Sequence, residues 1–389
     1  VQISQITIDG NQVNDLPINL FIKSEINVER YYDFMSISST SLTFNSPTLI
    51  NTDCDPNNVN DELSLSWGYS TTTLIEPEEY QLEWTFVNDY LGYDNAGNIT
   101  YETNLSKLNF DFKNNSTRIT TSQNNYKISL LFDHGYLLYR VRGIGRDMND
   151  PSKIIVGNWS YFPMSPLSQD YGTVNQFPNY ILIDGHESSK NWQLSTTFAE
   201  EGKKKESINY FDGGLKSRQS LVKVNSDKNV IVGQTIYDKQ GRPAINVLPS
   251  PVLYPACGGP EIAPSLNYYY KFNRNSDGTD EYSLKVIEGQ SSNTCASSAN
   301  TMSPSYGASN YYSPENPNQS QFQSYVPDAE GYPFSQTEFM PDNTGRIKRQ
   351  GGVGPQYQLD GNTHPIEYYY DEPDQIQLDR MFGSEVGNA

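Results

Sequence analysis

Short runs in which large apolar and polar residues alternate fill the first section of the chain. In residues 63–69 every second side chain is apolar, and residues 80–86 repeat this pattern. Two more runs follow at residues 128–132 and 137–142. Alternation with a period of two places successive side chains on opposite faces of a β-strand. We therefore predict a two-sheet β-sandwich over residues 1–165, with clusters of Asn, Gly and Asp as its turns.

Longer hairpins are predicted in the second section, where residues 192–198 and 230–237 have the same alternation. Residues 166–179 are predicted to link the two sections, and residues 180–298 to form a meander of β-hairpins. Residues 299–389 are rich in Pro, Tyr and Gly and have little periodicity. They are predicted to form an irregular segment. The fold class predicted for the whole chain is all-β.

The composition agrees with an all-β fold. Tyrosine is abundant, with 29 Tyr against 6 Met, whereas hydrophobic residues make up 35% of the chain. The cores must therefore be built partly from Tyr rings, whose hydroxyl groups reach a polar partner or water. Such side chains suit half-exposed β-sheets better than helical bundles.

The charge balance excludes one class of partner. A formal net charge of -19 repels nucleic acid at long range, which argues against non-specific nucleic-acid binding. The basic run at residues 203–205 follows two glutamates and is predicted to lie on a solvated hairpin tip. No apolar run is long enough to cross a membrane as a helix.

A turn unit made of an aromatic residue, an aspartate, and a following glycine and basic residue recurs in the second section. Aspartate accepts backbone N–H bonds in turns, glycine supplies a positive φ, and arginine pairs with nearby carboxylates. Recurrence at intervals of tens of residues indicates an array of stacked hairpins. The candidate structural residues are Tyr210 and Asp212 in the first unit, Tyr237, Asp238, Gly241 and Arg242 in the second, and Asp342, Gly345 and Arg346 in the third.

The first section resembles a fibronectin type III domain, which is a sandwich of the immunoglobulin-like class. Residues 65–67 look like the tryptophan strand of that family, and residues 139–145 look like its late tyrosine strand. Residues 157–160 resemble the closing strand. The long insert at residues 88–125 departs from the family pattern.

The second section resembles the RHS/YD-repeat proteins, in particular the giant surface proteins of the Bacteroidetes type. Residues 237–243 have the form of the YD repeat, and the motifs between residues 300 and 387 are the strongest match. The two glycines at residues 213–214 and the long inserts between units depart from the pattern. The resemblance implies a β-ribbon that spirals into a hollow shell.

The same resemblance implies a non-enzymatic, structural role in an exported protein of the bacterial cell surface. The chain would start or plug a shell that carries a downstream, toxin-like domain, and type IX secretion would export it to the outer membrane. The implied partners are the downstream shell of the same polypeptide and outer-membrane export or surface proteins. Because three units cannot close a shell, residue 389 is not expected to be the natural end of the protein.

Two other functions stay open at this point. The first is adhesion to carbohydrate or to a protein partner, for example in surface attachment or gliding, through Tyr268, Tyr269 and Tyr270. Tyr rings stack well on sugars and on protein partners, although stacked repeats also bury such rings between neighbours. The second is a carbohydrate-active enzyme, which requires a carboxylate cleft that the sequence does not locate.

An acidic loop is the one candidate metal site. Asp53, Asp55 and Asp61 lie in an oxygen-rich segment that could hold Ca²⁺, although its spacing is not that of an EF-hand. An ordinary acidic loop between strands explains the same residues, and no other cofactor is predicted. The three cysteines match no zinc motif, and a bond between Cys257 and Cys295 is left open.

Overall fold

The computed structural model describes residues 7–8, 11–12, 42–50, 61–69, 77–147, 150–160, 178–224, 230–252, 266–278, 300–316, 324–359 and 363–383. The fold is all-β, as predicted, and its sheets are antiparallel.

In chain order the strands are β1 (Thr7–Ile8), β2 (Asn11–Gln12), β3 (Leu42–Phe44), β4 (Thr48–Ile50), β5 (Glu62–Tyr69), β6 (Glu79–Asn88), β7 (Tyr90–Tyr93), β8 (Ile99–Tyr101), β9 (Thr117–Thr121), β10 (Asn125–Ser129), β11 (His134–Arg146), β12 (Ile154–Val156), β13 (Asn179–Asp184), β14 (Asn191–Phe198), β15 (Lys204–Phe211), β16 (Ser217–Val224), β17 (Val230–Tyr237), β18 (Pro243–Val252), β19 (Phe334–Phe339), β20 (Ile347–Gly351) and β21 (Ile366–Glu367). The helices are α1 (Gly307–Tyr311) and α2 (Gln375–Phe382), and short 3-10 turns lie at Leu105–Lys107, Glu200–Gly202 and Pro355–Tyr357.

Two sheets of the first section face each other across a common core. In one sheet β5 lies between β10 and the pair β3 and β4, and the other sheet has the order β12-β11-β6-β9. Leu63, Leu65 and Trp67 of β5 are buried, because alternation directs all three toward the opposite sheet. Leu82 and Leu137 of that sheet belong to the same core. We call this unit the sandwich.

The central strand β11 is buried on both of its faces. Leu137, Tyr139 and Val141 contribute to the core between the sheets, whereas Tyr136 and Leu138 pack into a second, smaller core on the outer face. The segment that was predicted as an insert covers this outer face, and Leu108 is one of its contributions. The same segment also supplies β9, so only part of it is additional to the sandwich.

The boundary between the two sections lies later than predicted. Strand β13, at the start of the predicted hairpin meander, pairs with residues 134–139 of β11 and extends the second sheet of the sandwich. Strand β13 belongs to the sandwich because its Ile183 side chain is buried in the sandwich core. The sandwich therefore continues to Asp184, whereas residues 166–177 of the predicted linker lie outside the described residues.

The second section is an antiparallel sheet of eight strands that follow one another in sequence order from β14 to β21. We call this sheet the ribbon. Its strands alternate, so that one face carries Ile208, Leu221, Val232 and Ile245 in a single buried core. The hairpin meander that the sequence predicts is thus present.

Two crossing segments cover the buried face of the ribbon. Leu266, Phe272 and Met302 pack into the ribbon core, together with Ala308 of helix α1. A Cβ atom at Gly307, which has a φ of 47°, would lie 1.8 Å from the carbonyl oxygen of Phe272. Only glycine permits this close contact between the two segments. Residues 300–316 of the segment that was predicted to be irregular therefore pack against the ribbon, and β19, β20 and β21 of the same segment are strands of the ribbon.

Candidate functional site

Residues of the sandwich and the ribbon meet in a contact that we call the junction. Leu131, which follows β10, is buried in the ribbon core and not in the sandwich core. The hydroxyl group of Tyr126 donates a hydrogen bond to the carbonyl oxygen of Gly202 at 2.9 Å. The rings of Trp84 and Phe198 lie edge to face, with centroids 6.2 Å apart. Side chains of the sandwich therefore pack against those of the ribbon at the junction.

A buried polar group lies at the centre of the junction. Lys204 and Glu206 of β15 form a salt bridge of 2.8 Å, and Ser129 of the sandwich donates to Glu206 at 2.8 Å. Burial lowers the pKa of the Lys204 ammonium group, and attraction to Glu206 offsets only part of this effect. Each charge therefore needs the other, because an unpaired charge at this depth is strongly unfavourable.

The prediction of a solvated hairpin tip at residues 203–205 was wrong for Lys204, which is 7% exposed. Lys204 and Glu206 share the period-two register of Ile208 and Tyr210, and this register places all four on the covered face of the ribbon. The alternation could have identified this burial. The partner that covers the two charged residues could not be read from the local sequence.

A second ion group extends the junction. The Glu62 carboxylate lies 2.7 Å from Lys127 of the sandwich and 3.4 Å from Lys223 of the ribbon. Burial acts to raise the pKa of Glu62, but the attraction and hydrogen bonds of the two lysines outweigh burial, so the pKa lies below its usual value. Glu62 therefore stays ionised and bridges the two units.

A histidine turn lies at one side of the junction, between β13 and β14. His186 is 1% exposed, and its Nε2 lies 2.8 Å from the hydroxyl oxygen of Tyr210. That hydroxyl group donates its single proton to the carbonyl oxygen of Leu266, so Nε2 carries the histidine proton and donates to Tyr210. Burial lowers the pKa of His186 to about 4, which keeps the ring neutral at neutral pH.

An open cleft of ≈ 730 Å³ lies beside this turn, and we call it the His186 cleft. It is formed where the turn between β13 and β14 meets the turn between β15 and β16. Its lining residues are Asp133, His186, Ser188, Lys190, Asn191, Trp192, Gln193, Phe211 and Leu215. The alternation could not indicate these residues, because they come from the ends of separate strands.

Tyr268 and Tyr270, two of the three tyrosines that the adhesion hypothesis names, lie next to the His186 cleft. The Lys190 ammonium group, which lines the cleft, lies 4.9 Å from the centroid of the Tyr270 ring and 5.8 Å from that of Tyr268. Tyr268 and Tyr269 pack against the ribbon core, whereas Tyr270 is 53% exposed. They belong to a crossing segment and not to a strand, so their rings do not alternate between two faces.

The first two repeated units form the same turn. Asp212 and Asp238 each accept two backbone N–H bonds, from the second and the fourth residue after the aspartate. The residue with positive φ follows three positions after the aspartate, and it is Leu215 in one turn and Gly241 in the other. The glycines at 213–214 therefore do not occupy the left-handed position, which explains why they depart from the repeat pattern.

The aromatic and basic residues of these two units have separate roles. Tyr210 is buried in the ribbon core, whereas the Tyr237 hydroxyl group donates to the carbonyl oxygen of Ser217 at 2.9 Å. Arg242 pairs with Asp238 at 2.7 Å, as the turn pattern suggests. Burial acts to raise the pKa of Asp238, but hydrogen bonds from the backbone and side chain of Arg242 outweigh burial and lower it.

The third unit has a different turn. The Asp342 carboxylate accepts hydrogen bonds from the backbone N–H and the hydroxyl group of Thr344, not from the fourth residue after it. Gly345 has a φ of 76°, and Asn343 is a second residue with positive φ. The Arg346 side chain lies 5.2 Å above the centroid of the Tyr370 ring instead of pairing with Asp342.

The predicted calcium loop is only partly described. Asp53 and Asp55 lie outside the described residues, as do all three cysteines. Asp61 is buried at the junction, where its carboxylate lies 3.5 Å from the Asn267 amide nitrogen. Within the described part of the chain, no group of three or more His, Cys, Asp or Glu side chains is arranged to hold a metal ion.

A charged cluster on the outer face of the sandwich was not predicted as a unit. Glu83 is fully buried, and its carboxylate lies 2.7 Å from Arg118 and 2.6 Å from Arg140. Burial acts to raise the pKa of Glu83, but hydrogen bonds from the two arginines and Ser116 outweigh burial and lower it. The Trp159 ring stacks on Arg140, with the guanidinium carbon 4.4 Å from the ring centroid.

Comparison with known proteins does not assign this chain to a family. No family model matches the chain, and no curated protein matches its sequence. Among the described residues, no helix has both the length and the apolar character that a membrane-spanning helix requires.

Proposed function

We propose that the chain is a structural, non-enzymatic module of an exported bacterial surface protein. In this proposal the sandwich is fixed to the first strands of a β-ribbon, and the ribbon forms part of the wall of a shell that carries a downstream domain. The observation that supports the proposal best is the direct linkage between successive hairpin turns of the ribbon.

The first two turns are linked by several contacts. The Lys216 ammonium group donates to the carbonyl oxygen of Gly241, which lies in the next turn. The side chains of Lys216 and Arg218 lie 5.5 Å and 5.9 Å from the centroid of the Tyr237 ring. A basic residue of one unit thus packs on the aromatic residue of the next unit.

The same arrangement continues along the ribbon. Arg242 of the second unit lies 4.4 Å from the centroid of Phe339, the aromatic residue that precedes the third unit. Arg346 of the third unit stacks on Tyr370. Such nearest-neighbour contacts are typical of repeat proteins, in which each unit is stabilised by the adjacent ones. A repeating wall is the function that this linkage supports.

The sandwich covers one end of the buried face of the ribbon. The Ser129–Glu206 hydrogen bond and the Glu62–Lys223 pair join the two units through buried charged groups. Because separating the two units would break these contacts and expose the apolar core around Leu131 to water, the sandwich is held in one position. This rigid attachment supports a role for the sandwich as an end piece of the wall. The export route in this proposal is type IX secretion, which the RHS resemblance implies.

The experiment that tests this proposal is protease shaving of intact cells of the source organism, followed by mass spectrometry and by immunoblotting of the undigested protein. We expect peptides from this chain to be released from intact cells and the native protein to be several times larger than 43.9 kDa. A known cytoplasmic protein serves as the control for lysis.

Two results would contradict the proposal. If the peptides appear only after lysis, the protein is not at the cell surface. If the native protein has a mass near 43.9 kDa, it does not form part of a larger shell.

A further inference from the structure

Three arginines lie together on the outer face of the second sheet of the sandwich. Arg140 of β11 and Arg118 of β9 are each paired with Glu83 of β6. Arg142 of β11 is paired with Gln81 of the same strand β6. Directly paired residues of antiparallel strands point to the same side of a sheet, and residues two apart in a strand share a face. All three arginines are therefore on one face, and we call them the arginine cluster.

One aromatic ring contacts all members of the arginine cluster. The three guanidinium carbons lie between 4.3 Å and 5.5 Å from the centroid of the Trp159 ring. The ring is half-buried, and hydrogen bonds in both directions between Ser160 and Val141 of β11 fix the backbone beside it. Cation–π contacts attract the guanidinium groups to the ring, but the ring carries no net negative charge that could neutralise them.

The arginine cluster has more positive than negative charge. In the described part of the chain, Glu83 is the only carboxylate within ion-pair distance of the three arginines. Its Oε1 accepts from Arg118 and its Oε2 accepts from Arg140, so both oxygen atoms are in use. Three positive charges thus face one negative charge, which leaves an excess of two. Partly buried charges without a counter-charge are unfavourable.

Arg142 is the member of the cluster that has no carboxylate partner among the described residues. Its Nε and Nη2 groups both donate to Oε1 of Gln81, at 2.8 Å and 2.6 Å, and Gln81 is neutral. A guanidinium group has five N–H donors, so those of Nη1 are left for another acceptor. Burial and the positive charges of Arg118 and Arg140 lower the pKa of Arg142. Arg142 therefore lacks a counter-ion.

From these observations we infer that the arginine cluster binds an oxyanion of the sulfate or phosphate class, with Arg142 as its main ligand. Arginine presents paired N–H donors that match two oxygen atoms of such an anion. The Arg118 side chain, which is 45% exposed, adds positive charge beside it. Because the whole chain has a net charge of -19, an anion binds only where positive charge is in local excess. This site goes beyond the structural role proposed above and does not depend on it.

The test uses the full chain and two probes, inorganic sulfate and inorganic phosphate, at neutral pH and at an ionic strength held constant with sodium chloride. Binding is followed by calorimetric titration and by thermal unfolding. We expect at least one probe to bind with a Kd of roughly 1 mM, and to raise Tm by about 2–4 °C at roughly 50 mM. The tighter probe identifies the preferred oxyanion. If neither probe binds at roughly 50 mM, the inference is wrong.

Two matched variants place the binding at the cluster. Arg142→Gln removes the main ligand and is expected to weaken binding at least about tenfold. The control Arg146→Gln changes an exposed arginine on the same face of β11 that has its own partner, Glu78, at 3.5 Å. It should bind as the unmodified chain does, and comparison at one probe concentration cancels the general effect of sulfate on stability. Equal binding by both variants would show that the anion binds elsewhere.

A third variant supplies the missing counter-charge from within the chain. Gln81→Glu places a carboxylate against Arg142, where it replaces the anion. We expect this variant to have a higher Tm than the unmodified chain in sodium chloride alone, and to bind the better probe at least about tenfold more weakly. The higher Tm distinguishes this result from damage to the fold. A Gln81→Glu variant that binds the probe as tightly as the unmodified chain would contradict the inference.

Discussion

Single residues set the local stability of the sandwich through a few buried charges. Glu83 is the clearest case, because one carboxylate with no exposure accepts hydrogen bonds from two arginines and from Ser116. Charge-assisted hydrogen bonds are stronger than neutral ones, and removal of one partner leaves the other unsatisfied. Both arginines are partly exposed, so water replaces part of the hydrogen bonding that they lose when the Glu83 carboxylate is removed.

We predict that Glu83→Gln lowers the free energy of unfolding by about 2–4 kcal/mol. The control Glu79→Gln lies on the same face of β6 but is exposed, and it should change stability by less than about 0.5 kcal/mol. Urea denaturation followed by circular dichroism measures both values. Equal stability of the two variants would show that the buried ion group does not hold the outer face of the sandwich.

His186 gives the stability of the ribbon a pH dependence with a defined sign. Its folded pKa of about 4 lies below the value of 6.5 for an unperturbed histidine, so the unfolded chain binds more protons between these values. The contribution of His186 is therefore complete above pH 6.5 and is lost as the pH falls toward 4. From pH 7 to pH 5 the loss amounts to roughly 2 kcal/mol.

The variant His186→Gln, which keeps a donor near Tyr210, should lose less stability than the unmodified chain over this pH interval. Urea denaturation at pH 7, pH 6 and pH 5 measures the difference. The control His364→Gln changes an exposed histidine and should keep the pH dependence of the unmodified chain. A pH dependence that His186→Gln leaves unaltered would mean that His186 does not titrate far below its usual range.

At the scale of elements, two turns of the ribbon have a leucine and a glycine at the same left-handed position, so the two residue types can be compared directly. Leu215 and Gly241 occupy the same position of the same turn, and each N–H donates to the carbonyl oxygen of its aspartate at 2.9 Å. Their φ values are 56° and 73°, in the left-handed region. An L-residue with a side chain is disfavoured there by about 1–2 kcal/mol.

We predict opposite effects for the two exchanges. Leu215→Gly should raise the free energy of unfolding by roughly 0.5–1 kcal/mol, because relief of the left-handed conformation exceeds the added flexibility of the unfolded chain. Gly241→Leu should lower it by about 1–2 kcal/mol. Thermal and urea unfolding measure both. If both exchanges change stability in the same direction, the two turns are not equivalent.

The strands themselves are the elements that alternation predicts best. β5, β6, β11 and β14 lie where the apolar and polar residues alternate, since a buried face requires that pattern. The second core outside β11 was not predicted, because Arg140 and Arg142 interrupt the apolar residues on that face of the strand. Sequence alternation does not show that Trp159 and a buried glutamate cover such arginines.

At the scale of the whole molecule, the junction could not be predicted because its partners are far apart in the chain. Glu62 and Lys223 are separated by 161 residues, and Ser129 and Glu206 by 77. Neither pair has a local sequence signature. The His186 cleft was missed for the same reason, although the neighbouring tyrosines were identified from their composition alone.

The central claim is that the sandwich and the ribbon form one body, fixed by buried charges at the junction. Hydrogen exchange of the full chain, followed by mass spectrometry, tests this claim most directly. We predict that peptides from β10 and β15 open with the same free energy, and that Glu206→Ala lowers both values by about 3–5 kcal/mol because Lys204 is left buried and unpaired. If the β10 peptides open at a lower free energy than those of β15, and Glu206→Ala leaves them unchanged, the two units are independent and the claim is wrong.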